Sequence, residues 1–301
     1  MITFVARKNL DEEKYNACVA NSIQSNVFGF SWYLDQVTDN WSAFVLNDYE
    51  AVMPVPWKRK FFIKYAYLPF WILELGIFSK EIEDENEFLI EVFSEFKFVE
   101  SRLNSKNSFS MFEAYQQGRT FQYISLNDPY EKVKSGYRRD RRKDLNRAKK
   151  NDLTEKWDDD PMNLINLYRD NVGKRVTKIK EQDYIRLHKA MSICIQKKVG
   201  QILSVYNKDG ELIASGFFTK FKDKVSILAS ATNFNDRKNG ANTFLIDRAI
   251  FKYQPQYSEF NFGGSSMKNI AQYFYSFGAK TENYILIRQN RLPKLLQIFK
   301  R

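Results

Sequence analysis

The residues best suited to chemistry lie between positions 235 and 279. Arg237, Gly240 and Asn242 stand in an R-x-x-G-x-N run just before residues 244–251, whose Phe244, Leu245, Ala249 and Phe251 suit one buried face of a helix. The first turn of a helix leaves N–H groups without partners and carries the positive end of the dipole. A glycine there lets the backbone come close to a ligand, so Arg237, Gly240, Ala241, Asn242 and Thr243 form a candidate anion-binding loop. Downstream, residues 258–262 read as a short strand that enters the turn Gly263-Gly264-Ser265-Ser266. Ser265 or Ser266 is suited to cap the next helix, over residues 267–277 before Gly278. Gly263, Gly264 and Ser265 complete the candidate carrier site.

This order of loop, helix, strand, glycine turn and helix resembles the acyl-carrier half of the GNAT acyltransferase superfamily, in which an R/Q-x-x-G-x-G/A loop holds the pyrophosphate of coenzyme A. The wording FNFGGSSMKNIAQYFYSFGA is similar to the D-F-x-G-S and F-x-x-x-F-G-A signature of Fem-type peptidyltransferases. Asn242 stands where the loop has Gly or Ala, and Asn261 where the signature has Asp. The resemblance implies an α/β fold class, two tandem GNAT-like domains (the acyl-CoA N-acyltransferase fold) with mixed sheets flanked by helices. It also implies acyl transfer without a covalent nucleophile: a carbonyl held against a backbone N–H, an amine acceptor deprotonated by a carboxylate or through water, and a tyrosine or ordered water that protonates the leaving group. Tyr273 and Tyr275 lie on the helix where that tyrosine is expected, although Phe274 is nearest in spacing. The donor implied is acyl-CoA or aminoacyl-tRNA, a co-substrate and not a permanently bound cofactor.

The elements needed to position these residues appear twice. Residues 11–22 and a segment from Ser31 have helical spacing, followed by strand-like runs at 42–46, 51–57 and 63–68, a helix at 85–98 and a strand at 108–115. Pro54 and Pro56 predict an edge or a bulge in the second of these strands. After the middle of the chain, strands at 201–206, 212–220 and 225–232 repeat the pattern, which predicts a duplicated unit. The expected domains are 1–125, shaping the acceptor side of a cleft, and 126–301, carrying the acyl-carrier loop. Between them, residues 130–150 are strongly basic with a thin apolar stripe. They predict one helix with a cationic face, in which Arg138, Arg139, Arg141 and Arg142 are candidate polyanion-binding residues.

Composition bounds the chemistry. With 301 residues, 44% of them apolar and 26 of them Phe, the chain is long and apolar enough for real cores. Two cysteines far apart and a single histidine leave no zinc site and no histidine-based triad to expect. No apolar run reaches the roughly 20 residues of a membrane span, and MITFVARKNLDEEKY lacks the order of a signal peptide, so a cytoplasmic protein is expected. The net charge of +11 favours anionic partners without choosing among them. The alternatives to an N-acyltransferase are a catalytically degenerate GNAT-like protein and a polyanion- or nucleic-acid-binding protein.

Overall fold

The computed structural model describes every residue except 61, 82–83, 177, 264–267 and 295–301. Two compact units divide the chain: Met1–Arg119 with the segment from Asn283 onward, and Thr120–Glu282. The expected strand–helix repeat is present in both.

In the first unit, β1 (Ile2–Ala6), α1 (Glu12–Asn21), α2 (Ser31–Val37), β2 (Asn40–Leu46), β3 (Ala51–Lys60), β4 (Ile63–Ala66), β5 (Phe78–Ser79), α3 (Asn86–Glu95) and β6 (Phe98–Arg102) follow in order. Strands β1 to β4 form an antiparallel path in chain order, with β5 also on β3. Ala51 to Pro56 are buried without alternation, as a strand covered on both faces must be. Pro54 and Pro56 fall in the stretch 53–56, which has β2 on one side and neither β4 nor β5 on the other. Their missing N–H groups therefore cost no ladder bond on that side. The predicted strand at 108–115 is instead a short 3-10 stretch, Ser110–Tyr115. Tyr115 and Met111 there are exposed, and Phe112 packs edge-on against Phe93 without any strand pairing.

The second unit continues with β7 (Gln116–Ser125), α4 (Tyr130–Ser135), α5 (Arg139–Lys150), β8 (Thr154–Trp157), α6 (Pro161–Tyr168), α7 (Glu181–Gln196), β9 (Gly200–Tyr206), β10 (Leu212–Phe221), β11 (Lys224–Thr232), α8 (Ala241–Tyr253), β12 (Glu259–Asn261) and α9 (Lys268–Tyr275). The strand order is β7–β12–β11–β10–β9–β8, with β11 and β12 parallel. The last strand, β13 (Lys280–Asn290), pairs Leu286 to Asn290 with β6. That ladder is why the chain from Asn283 groups with the first unit, whereas the sequence places all of 126–301 in the second domain.

The basic segment 130–150 is two helices, not one. Tyr137, in the break between α4 and α5, is buried edge-on against Phe277, and the Arg138 N–H donates to the Ser276 carbonyl at 2.8 Å. Helix α4 ends at Gly136, its C-cap, and Tyr137 just after it packs inward while Arg138 and Arg139 stay in solvent. Helix α8 is locked to this segment by Asp247, which is buried and accepts a 2.8 Å hydrogen bond from the Tyr130 hydroxyl. Burial raises the Asp247 pKa above the ordinary carboxylate value, against the lowering effects of Tyr130 and Lys134.

This packing has two measurable consequences. A folded-state pKa above the unfolded one means that Asp247 stabilises the fold when protonated, and this stabilisation is lost as pH rises through the folded pKa. Asp247→Asn, which keeps an acceptor for Tyr130, should therefore raise Tm at pH 8, and the gain should vanish toward about pH 4. A variant less stable than wild type at pH 8 would contradict the assignment. Gly240 has a φ of +84°, and a Cβ there would collide with the Asp144 carbonyl oxygen of α5. Gly240→Ala should cost about 2 kcal/mol or more by denaturant unfolding. Gly210→Ala, at a φ of +78° but in open space, should cost only about 1–2 kcal/mol and serves as the control.

Candidate functional site

Strands β11 and β12 pair in parallel only from Lys224–Ser226 to Glu259–Asn261, and β11 then runs on to Thr232. On its other side, the register with β10 shifts, because Phe217 faces Ala229 while Phe218 faces Ile227. Leu228 is the extra residue of this bulge, which interrupts the ladder and leaves backbone groups for other partners. The chain leaves β12 through Phe262, whose N–H donates to the Gln122 carbonyl at 3.0 Å. Gly263 follows with a φ of +79°, and its N–H donates to Asn261 Oδ1 at 2.8 Å. Asn261 thus supplies the same turn-forming acceptor that an Asp would. Gly264, Ser265 and Ser266 lie outside the described residues.

Close by, Gln122 is fully buried, and neither its Oε1 nor its Nε2 has a partner among the described residues. An unmet buried amide costs about 1–3 kcal/mol, so its presence beside the turn after β12 is notable on energetic grounds. Nothing in the pattern of β7 singles it out in the sequence.

The N-terminus of α8 has no side-chain cap. Gly240, in the left-handed conformation, brings this end onto the backbone of α5, and Ala241 is fully buried beneath it. Asn242 Oδ1 lies 3.3 Å from the Thr232 hydroxyl that donates to it, which ties the helix to the end of β11. Thr243 is the centre of a polar cluster. Its hydroxyl oxygen accepts from Arg141 Nη1 at 2.7 Å, lies 3.0 Å from the Asp144 Oδ2 to which it donates, and is 3.1 Å from the Tyr273 hydroxyl. Arg141 Nη1 also pairs with Asp144 at 2.9 Å, and its guanidinium lies 4.4 Å from the centre of the Tyr273 ring. Burial raises the Tyr273 pKa, opposed by the Thr243 hydrogen bond and the Arg141 charge. The phenol is held neutral and able to donate.

The structure therefore brings Thr243, Tyr273 and Arg141 together and separates several other predicted residues from them. Tyr275 is 38% exposed and its hydroxyl contacts Thr281 at 2.6 Å. Phe274 stacks on Phe262 with ring centres 4.6 Å apart, as a core residue. Arg138, Arg139 and Arg142 are exposed, whereas Arg141 turns inward with a side chain only 12% accessible.

Arg237 points elsewhere again. Its guanidinium lies 4.8 Å from the centre of the Phe234 ring, and that of Arg175 lies 4.5 Å from the same centre. Burial, then the charge of Arg175, lowers the Arg237 pKa, so an anion placed between the two cations would relieve their repulsion. The adjoining cavity of about 710 Å³ is lined by Asn171, Lys174, Arg175 and Phe234 among others. Asn171 Oδ1 fixes the loop by accepting the Phe234 N–H at 2.7 Å. Asn171 lies in a π-helical stretch, Arg169–Gly173, and Lys174 and Arg175 follow it directly. Sequence reasoning misses these residues because only a short Lys-Arg pair marks them. Among the described residues no cluster of His, Cys, Asp and Glu could hold a metal ion, and no helix is long and apolar enough to cross a membrane.

No family model and no curated protein matches the sequence. Solved structures match over almost the whole chain. FemX is 11% identical with a TM-score of 0.65, over 97% of this chain and 99% of its own. L-PGS from Bacillus licheniformis is 13% identical with a TM-score of 0.57, over 96% and 95%. A tandem GNAT protein from the clavulanic acid biosynthesis pathway is 8% identical with a TM-score of 0.53, over 98% and 100%. At such identities the shared property is the arrangement of the backbone, and the chain has the two-domain GNAT-like fold of FemX and of the tandem GNAT protein.

Proposed function

We propose that the protein is an N-acyl- or N-aminoacyltransferase that moves an acyl group from a phosphate-bearing carrier, acyl-CoA or aminoacyl-tRNA, to an amine. The observation that carries this reading is the parting of β11 from β12 beyond Ser226 and Asn261, next in the chain to an uncapped α8 N-terminus. A carbonyl entering where the strands part meets backbone groups loosened by the bulge at Leu228, which suit stabilisation of a developing oxyanion. The first turn of α8 offers N–H groups to carrier phosphate, and Arg237 with Arg175 adds positive charge on the loop before it.

In the reaction, the amine nitrogen forms a bond to the carbonyl carbon and the carbon–sulfur or carbon–oxygen bond to the carrier breaks. The leaving thiolate or alkoxide then takes a proton. Tyr273 suits that transfer better than Tyr275 because its phenol is kept neutral by burial and fixed by Thr243 in the first turn of α8. The proton lost by the amine passes to water or a carboxylate. The FemX and tandem GNAT names of the similar folds agree with this class of reaction. A second reading, polyanion binding without transfer, draws on Gly240 and Asn242, which are committed to α5 and Thr232, and on exposed Arg138, Arg139 and Arg142.

In a transfer assay with acetyl-coenzyme A or aminoacyl-tRNA and a panel of amines, Tyr273→Phe should lower kcat by about a hundredfold or more. Its stability should fall by only about 1 kcal/mol, the worth of one hydrogen bond. Tyr275→Phe should keep full activity, and a reversed ranking of the two variants would remove Tyr273 from the mechanism. For the arginines, the triple variant Arg138→Gln, Arg139→Gln and Arg142→Gln should bind tRNA with a salt slope lower by about 0.7–0.9 for each phosphate that it no longer neutralises. An unchanged slope would mark this face as merely solvated.

A further inference from the structure

Donor and acceptor chemistry fixes the protons in the cluster of Arg141, Asp144, Thr243 and Tyr273. Arg141 has only protons to give and the Asp144 carboxylate only lone pairs. The 2.7 Å contact of Arg141 Nη1 with Thr243 Oγ1 therefore runs toward the hydroxyl, and the 3.0 Å contact of that hydroxyl with Asp144 Oδ2 runs away from it. Thr243 is buried and has one proton, which Asp144 takes. Only a lone pair of Thr243 is left for Tyr273, so across 3.1 Å the phenol donates to the threonine. At rest, the Tyr273 proton points into the cluster.

The arrangement is built to reverse. Asp144 does not depend on Thr243, because its Oδ2 also pairs with Arg141 Nη1 at 2.9 Å and its Oδ1 with Arg147 Nη1 at 2.8 Å. The carboxylate thus stays paired when the Thr243 proton leaves it, and Arg141 Nη1, in contact with both oxygens, remains between them. The Arg141 guanidinium also lies 4.4 Å from the centre of the Tyr273 ring, where its charge favours a negative phenol oxygen. Arg141 holds this place at a cost, since its buried Nε has no partner among the described residues.

We propose that Thr243 is a two-position hydrogen-bond donor for the acid step, with Arg141 as the cation that supports it. While the phenol is neutral, the Thr243 proton rests on Asp144. When the leaving group departs, the phenol proton turns outward, the Tyr273 O–H bond breaks, and an S–H or O–H bond forms on the carrier. The Thr243 proton then turns about its Cβ–Oγ1 bond from Asp144 to the phenolate oxygen, while Arg141 balances the new charge. The proton given up by the amine reaches the phenolate through water, and both hydroxyls turn back. Thr243 and Arg141 are positioning residues, since they act on the reaction only through Tyr273. The inference rests on the acid role proposed above for Tyr273.

The test has one arm that needs no substrate. In the full chain labelled with fluorotyrosine, fluorine NMR follows the titration of Tyr273, whose resonance is assigned by its loss in Tyr273→Phe. Thr243→Val and Arg141→Gln should each move this titration to higher pH, because each removes a group that favours the phenolate. Asp144→Asn should move it to lower pH, because the Asp144 charge opposes the phenolate, and Thr243→Ser should leave it near the wild-type position. In the transfer assay, Thr243→Val should lower kcat by about tenfold or more with KM little changed, the worth of one hydrogen bond to a charged oxygen. Thr243→Ser should recover most of that loss. A titration that Thr243→Val leaves in place would overturn the inference whatever the activity. So would a Thr243→Ser variant as slow as Thr243→Val, which would make the cluster a joint between helices and nothing more. The expected titrations in a chain that transfers nothing from either carrier would uphold the Thr243 switch and remove the transferase reading instead.

Discussion

Helix α8 begins on the backbone of α5, and the second unit is arranged around that contact. Only a residue without a Cβ permits it, because Gly240 in its left-handed conformation brings the chain against the Asp144 carbonyl. The polar cluster then secures the same junction from the side-chain direction, with Arg141 and Asp144 from α5, Thr243 from α8 and Tyr273 from α9. A half-buried cation and a half-buried carboxylate each lose hydration, and their mutual pairing with Thr243 offsets that loss. One junction fixes three helices. It sets where the free N–H groups of α8 point and holds the Tyr273 hydroxyl beside them.

Much of this was legible from residue spacing. The alternation in 201–206, 212–220 and 225–232 corresponds to β9, β10 and β11, and the apolar face of 244–251 to the middle of α8. The contact of Thr243 with Tyr273 is seen only in the fold, since the sequence names each residue for a separate role. Other features depend on tertiary contacts and leave little trace. Arg141 resembles Arg138, Arg139 and Arg142 in sequence, yet among these four it is the one that turns inward, where it donates to Thr243 and pairs with Asp144. The break falls at Gly136, the C-cap of α4 and a poor helix former, and Tyr137 just after it packs against Phe277. Strand β13 reads as polar and charged at its start, and the bulge at Leu228 is a matter of register that composition does not encode.

Gly240 is a case in which one residue supports two physical readings. From the sequence, a glycine before a helix suggests backbone approach to a phosphate; in the fold, the space that its Cβ would occupy is taken by α5. The anion-binding potential of the region therefore rests on the first-turn N–H groups and on the cations of the preceding loop. Arg237 and Arg175 converge on Phe234, so that loop carries a concentrated positive field at the edge of a cavity of about 710 Å³.

Whether this region receives an acyl carrier is tested most directly by residue-resolved hydrogen exchange of the protein, alone and with saturating acetyl-coenzyme A or aminoacyl-tRNA. The account predicts slower exchange at the amides of Ala241, Asn242 and Thr243 and at the bulge around Leu228 with at least one carrier. Protection confined to the exposed basic face of α5, or the absence of any change at the α8 N-terminus with both carriers, would contradict it.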